Sequence, residues 1–83
     1  MVRKEKIRLV ATDLDGTLLR DDKTISVADY NSLVGLGELE IVRVAATGRS
    51  LHKVYEVLSI DTPFDFIVFS TGAGIFDWKK QQL

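Results

Sequence analysis

The chain contains no cysteine. Disulfides and thiolate metal sites are therefore excluded, and a reducing compartment is compatible. Charge of one sign is not in excess either: 11 basic and 12 acidic residues leave a formal charge of −1. A nucleic-acid or membrane-surface partner would call for a basic surplus, so neither is expected. No apolar run approaches the length needed to cross a bilayer. The start, Met1 to Lys6, is basic, but the apolar run after it breaks at Asp13, too soon for a signal-peptide core with a cleavage site. A cytoplasmic location is the expectation. Repeats, linkers and low-complexity segments are also missing. With 83 residues the chain holds one domain at most. A domain of this size buries only about two-thirds of its unfolded surface, so its stability is marginal. Hydrophobic residues at 46% nonetheless supply a core and argue against disorder.

What is present alternates between strand and helix signals. Ile7 to Thr12 reads as a first strand. Leu18 to Ile25 encloses the polar turn Arg20-Asp21-Asp22-Lys23 and reads as a hairpin-like flap. Ser26 is a suitable N-cap for a helix carrying Val27, Tyr30, Leu33 and Val34, which Gly35 and Gly37 are expected to stop. Glu40 to Ala46 is rich in β-branched residues and reads as a second strand. Ser50 caps a second helix, with Leu51, Val54, Tyr55 and Leu58 on one stripe. Asp61-Thr62-Pro63 is a turn. Phe66 to Phe69 is a third strand, apolar on both faces as in a buried parallel strand. The tail after Gly74 shows no clear period.

This βαβαβ order predicts a parallel α/β sheet with right-handed crossovers. If the strands lie in the order one, two, three, both helices fall on one face and the other face is bare. Ligands bind beyond the carboxyl ends of such strands. Asp13, Asp15, Thr47 and the Ser70 to Gly74 loop lie at that end. Asp61 and Asp65 lie at the other and are excluded from the site.

The densest motif is Asp13-Leu14-Asp15-Gly16-Thr17-Leu18. Residues i and i+2 of a strand point the same way, so Asp13 and Asp15 can converge just beyond it. Gly16 permits a sharp turn, and Thr17 adds a hydroxyl and an N–H there. Paired carboxylates beside a tight turn suit Mg²⁺ chemistry on phosphate, because hard oxygens hold the ion and the ion offsets phosphate charge. A second motif, Ala46-Thr47-Gly48-Arg49, follows one βα unit later. Taken alone it reads as a loop before a helix with an exposed arginine.

Together the two motifs resemble those of the haloacid dehalogenase superfamily, which is mostly phosphatases. The Thr-Gly-Arg form is similar to that of the sugar-phosphatase-like branch with a large α/β cap. The resemblance implies a three-layer Rossmann-like fold, of which this chain holds only the first βαβαβ portion. It implies Asp13 as nucleophile and Asp15 as general acid and base. It implies Mg²⁺ held by the Asp13 carboxylate and the Asp15 backbone carbonyl. Phosphate would be bound by Thr47 and Gly48, by Arg49 with its bidentate fork, and by Gly16 and Thr17. The substrate would be a small phosphorylated metabolite, a sugar phosphate or similar. Ser70-Thr71-Gly72-Ala73 resembles the third-strand loop of the same branch, with Thr71 where asparagine is usual. The cap, a later Lys or Arg and the distal acidic residues that complete the Mg²⁺ shell have no counterpart in this chain.

Two other readings belong beside it. One is a non-catalytic remnant that binds or assembles. The other is a receiver-like protein, which would be phosphorylated on an Asp after strand three, where Ser70 and Thr71 stand. Arg43 is unexpected inside strand two and is read as snorkelling from a partly uncovered face. Trp78 is read as a packing residue or an interface anchor, and His52 as a surface residue. A bare apolar face and a free edge on strand one predict a homo-oligomer.

Overall fold

The computed structural model describes residues 9–15, 18–19 and 24–83. Among them four strands form one sheet in the order β1-β2-β3-β4. They are β1 (Leu9–Asp13), β2 (Val42–Ala46), β3 (Phe66–Phe69) and β4 (Gly74–Asp77). The first three are parallel, with Asp13 opposite Ala46 and Ala46 opposite Val68. Their carboxyl ends are therefore level. The backbone continues the pairing one step further, through Leu14 N–H to Ala46 O (3.1 Å) and Thr47 N–H to Val68 O (2.9 Å).

β4 corrects the expectation that the tail is irregular. It returns antiparallel to β3, with Ile67 opposite Phe76. Four residues with Phe76 turned inward give too short a run for periodicity to show. Phe76 and Trp78 then close the core. The Trp78 ring lies 5.0 Å from Tyr55 and 6.1 Å from Phe76. Trp78 is 1% exposed, which makes it a core residue rather than a surface anchor. Its indole N–H has no hydrogen-bond partner among the described residues.

The first helix, α1 (Val27–Glu38), starts at Ser26, whose hydroxyl accepts from the Asp29 N–H at 3.1 Å. It runs through both Gly35 and Gly37, contrary to the expected stop. Termination falls on Glu40, which takes the left-handed φ of 59°. Glu40 N–H donates to Gly37 O and Ile41 N–H to Leu36 O, each at 3.0 Å. That pair of bonds is a Schellman closure, built here on a glutamate. Gly37 has another task. A Cβ there would lie 2.7 Å from the Arg43 guanidinium carbon, so its bare Cα lets that side chain pass beneath the helix.

Arg43 is accordingly not a snorkelling residue. Its parity in β2 matches buried Ala45, so it faces the helices. It donates to both oxygens of Asp65, at 3.1 and 3.2 Å, and to Leu33 O of α1 at 3.0 Å. Its backbone N–H also reaches Asp65, at 2.8 Å. This pair ties β2, the start of β3 and α1 together at the end of the sheet away from Asp13, Asp15 and Thr47. β2 itself begins at Val42, because Glu40 and Ile41 are used by the helix closure.

The second helix, α2 (Leu51–Tyr55), is shorter than the stripe suggests and ends in turns that still carry Leu58 inward. Leu33 of α1 and Val54 of α2 share one core with Ala45, Ile67 and Phe76. Both helices thus cover the same face. The opposite face carries Leu9, Val44, Phe66, Val68 and Ile75, a wholly apolar surface on which Leu9 is 56% and Ile75 62% exposed. Leu18 and Leu19 are buried, and Leu19 bridges both Asp15 and Ile25, as a flap would require. The polar turn at 20–23 lies outside the described residues. No described helix is long and apolar enough to cross a membrane.

Candidate active site

Strand parity places the Asp13 side chain on the exposed side of β1 at its carboxyl end. Two residues on, Asp15 sits where the chain has left the strand and bridges Leu19. β2 ends beside them and delivers Thr47, whose side chain is buried. β3 ends next, and its loop carries Thr71 and Gly72. Asp13, Asp15, Thr47, Gly48, Thr71 and Gly72 all line one open pocket of about 400 Å³. Gly16 and Thr17, the other two expected phosphate contacts, lie outside the described residues.

Arg49 is placed differently from expectation. Its guanidinium does not line the pocket but grips Asp15, with Nε to Oδ2 at 2.8 Å and the terminal nitrogen to Oδ1 at 2.7 Å. The fork is bidentate, with the Arg49 side chain 23% and the Asp15 side chain 38% exposed. Hydrogen bonding to Asp15 raises the Arg49 pKa above its ordinary value. The Thr47 hydroxyl accepts the Arg49 backbone N–H at 3.0 Å and lies 3.5 Å from Asp15 Oδ2. Thr47, Arg49 and Asp15 therefore form one linked cluster. The geometry makes Arg49 a holder of the second carboxylate, whereas Asp13 projects its carboxylate into the pocket.

Asp65, set apart on its position in the sequence, is indeed remote from this pocket. Burial raises its pKa, but hydrogen bonds from the Arg43 side chain and backbone, and the charges of Arg43 and Lys79, outweigh that and hold it below its usual value.

Thr71 belongs to the loop placed at this end of the sheet from the sequence, but it is not among the expected site residues. Ser70, Thr71 and Gly72 have φ of 51°, 54° and 91°, three left-handed residues in succession. Each left-handed residue other than glycine costs about 1–2 kcal/mol, and a β-branched threonine is the least suited. The loop is held there by Ser70 N–H to Arg49 O (2.8 Å) and Thr71 N–H to Thr47 O (3.1 Å). Gly48 matches this closely, since a Cβ at that position would lie 3.4 Å from the Thr71 hydroxyl. The topology and the resemblance of the loop point to this end of the sheet, but a hydroxyl pair ahead of Gly72 is equally the mark of a plain turn.

Hard oxygen donors are the right chemistry for Mg²⁺. Among the described residues, however, no three acidic or histidine side chains cluster as a metal site. With the Asp15 carboxylate engaged by Arg49, the Asp13 carboxylate is the acidic side chain of the described pocket lining left to face such an ion.

Comparison with known proteins agrees with the fold and the motifs. A family model described as haloacid dehalogenase-like hydrolase matches residues 10–83. Among curated proteins the chain is similar to the pyridoxal phosphate phosphatase YbhA of Escherichia coli, at 32% identity over 89% of this chain and 27% of that protein. It is also similar to the 5-amino-6-(5-phospho-D-ribitylamino)uracil phosphatase YcsE of Bacillus subtilis, at 31% identity over 86% of this chain and 28% of that one. Among solved structures, a phosphatase of the haloalkanoate enzyme superfamily from Bacteroides thetaiotaomicron superposes with a TM-score of 0.77 and 28% identity, over 95% of this chain and 30% of that one. A haloacid dehalogenase-like hydrolase from B. subtilis superposes with a TM-score of 0.78 and 28% identity, over 92% and 27%. The chain thus spans little more than a quarter of the length of the curated relatives it matches. With the family model covering nearly all of it, the chain belongs to the haloacid dehalogenase-like hydrolases.

Proposed function

We propose that this chain forms the nucleophile-bearing part of an Mg²⁺-dependent phosphoric monoester hydrolase. Its substrate class is small phosphorylated metabolites, sugar phosphates or similar. The observation that supports this reading best is the convergence of Asp13, Asp15, Thr47 and Gly48 on one pocket at the carboxyl ends of the parallel strands. The relatives' substrates, pyridoxal phosphate and a phosphoribitylamino-uracil, belong to the same chemical class. A cytoplasmic location and self-association are parts of the same proposal.

In this reading an Asp13 carboxylate oxygen attacks phosphorus in line and the P–O bond to the leaving group breaks. Asp15 gives that leaving oxygen its proton, then takes one from the water that cleaves the aspartyl phosphate. Thr47 donates its hydroxyl to a phosphoryl oxygen. Gly48, without a side chain, leaves room for the phosphate beside Thr71. Arg49 fixes the direction of the Asp15 carboxylate and must yield to let it carry a proton. Mg²⁺, when bound at Asp13, would neutralise charge on the transferring group, and with so few protein ligands it would be held weakly.

Hydrolysis of an aryl phosphate by the purified chain, with and without added Mg²⁺, tests the proposal. Because the later Lys or Arg and the distal acidic residues implied by the resemblance have no counterpart in this chain, weak, Mg²⁺-dependent release of phosphate is the expected result. Its absence at high enzyme concentration would leave this chain as a binding remnant of the family.

A further inference from the structure

We propose that Thr71 is a substrate-contacting residue that sets specificity, its hydroxyl donating to an oxygen of the bound phosphate ester from the β3 side of the pocket. This rests on the phosphatase reading and adds a contact to it. Three observations carry it. Thr71 lines the same pocket as Asp13, Thr47 and Gly48. It does so in a left-handed conformation, φ 54°, between two other left-handed residues, where glycine or asparagine would be at ease. And the backbone is clamped into that shape by bonds to Arg49 O and Thr47 O, from the very segment that carries the phosphate-binding motif.

A strained residue persists when its surroundings over-determine it, and such residues gather at ligand sites. Here the clamp fixes Thr71 relative to Thr47, so the two hydroxyls are presented to one ligand as a pair. Among the described residues the Thr71 hydroxyl takes no protein partner, which leaves it available to a ligand. Its counterpart face at Gly48 carries no side chain, so an incoming phosphate meets backbone and two hydroxyls rather than bulk. Asp13 lines the pocket from the β1 side and Thr71 from the β3 loop, so the Thr71 hydroxyl is placed for an ester oxygen while Asp13 is placed for phosphorus.

The experiment is an NMR titration of the full chain with inorganic phosphate in the presence of Mg²⁺, repeated on Thr71→Val, Thr71→Ser, Thr71→Gly and Thr47→Val. Thr71→Val keeps the shape and removes the donor, and phosphate affinity should fall roughly tenfold, the worth of one hydrogen bond to a charged group. Thr71→Ser should restore it to within about twofold. Thr71→Gly removes strain and donor together, so it should melt higher than the parent yet bind phosphate as poorly as Thr71→Val. This variant decides the matter if the valine protein does not fold. Parent-like affinity in both the valine and glycine variants, with loss in Thr47→Val, overturns the role of Thr71 and leaves the phosphatase reading standing. No phosphate binding by the parent chain overturns both.

Discussion

Two ion pairs of similar geometry stand at opposite ends of the sheet and have different consequences. Arg49–Asp15 is solvent-accessible and belongs to the pocket. Arg43–Asp65 is mostly buried and belongs to the frame. Replacing Asp13 with Asn should abolish phosphate release in any active form while leaving the circular dichroism spectrum unchanged, because Asp13 is exposed and holds nothing up. Near-normal hydrolysis by that variant would refute the nucleophile. Replacing Asp65 with Asn should instead cost stability, because Arg43 is left with its charge inside the protein. Breaking a buried pair typically costs about 3–5 kcal/mol, and this partly buried one belongs at or below the lower end of that range. The same pair sets a pH dependence. The folded pKa of Asp65 is depressed. Its contribution is therefore present above the unfolded value of about 3.9 and is lost as pH falls through the lower folded value. Urea melts between about pH 5 and pH 2 should show a loss in the parent that is reduced in Asp65→Asn.

At the scale of elements, α1 holds a paired test. Gly35 has open space where a Cβ would go, and Gly37 has the Arg43 guanidinium. Both are inside the helix, where alanine is intrinsically better than glycine by about 1 kcal/mol. Gly35→Ala should therefore raise the urea midpoint by about 0.5–1 kcal/mol equivalent. Gly37→Ala should lower it, because the added methyl displaces Arg43 from Asp65 and from Leu33 O. Equal effects from the two alanines would show that Arg43 does not need the passage. The same element shows why helix ends resist reading from sequence. Two glycines looked like the stop, yet the stop was decided by where Ile41 must turn to enter β2.

At the scale of the whole chain, the sheet face opposite the helices bears on the proposed self-association. Among the described residues, Leu9, Val44, Phe66, Val68 and Ile75 form a continuous apolar surface beside β1, the edge strand of the sheet. Soluble monomers rarely leave such patches open, and an unpaired edge invites another strand. A second copy of the chain, placed face to face or edge to edge, satisfies both. Light scattering at micromolar concentration should give a mass above 9.3 kDa, and Ile75→Lys should shift it back toward the monomer. A stable monomer in the parent would sink the idea.

Local chemistry determined much of this protein from its sequence. The i, i+2 carboxylates, the serine caps, the β-branched run of β2 and the two family motifs each depend on neighbours a few residues away, so one-dimensional spacing carries them. Once the strand order is given, the helices' shared face follows from the handedness of the βα connections, but the order itself came from the structure. Only the tertiary structure decided the rest. Arg43 with Asp65, Arg49 with Asp15 and Gly37 against Arg43 join residues 22, 34 and 6 positions apart in ways that depend on how elements pack. β4 is a strand because β3 offers it an edge, not because four residues announce one. Thr71 is strained into the pocket because carbonyls from another loop hold its backbone there, and long-range restraint of that kind leaves no periodic mark in the chain.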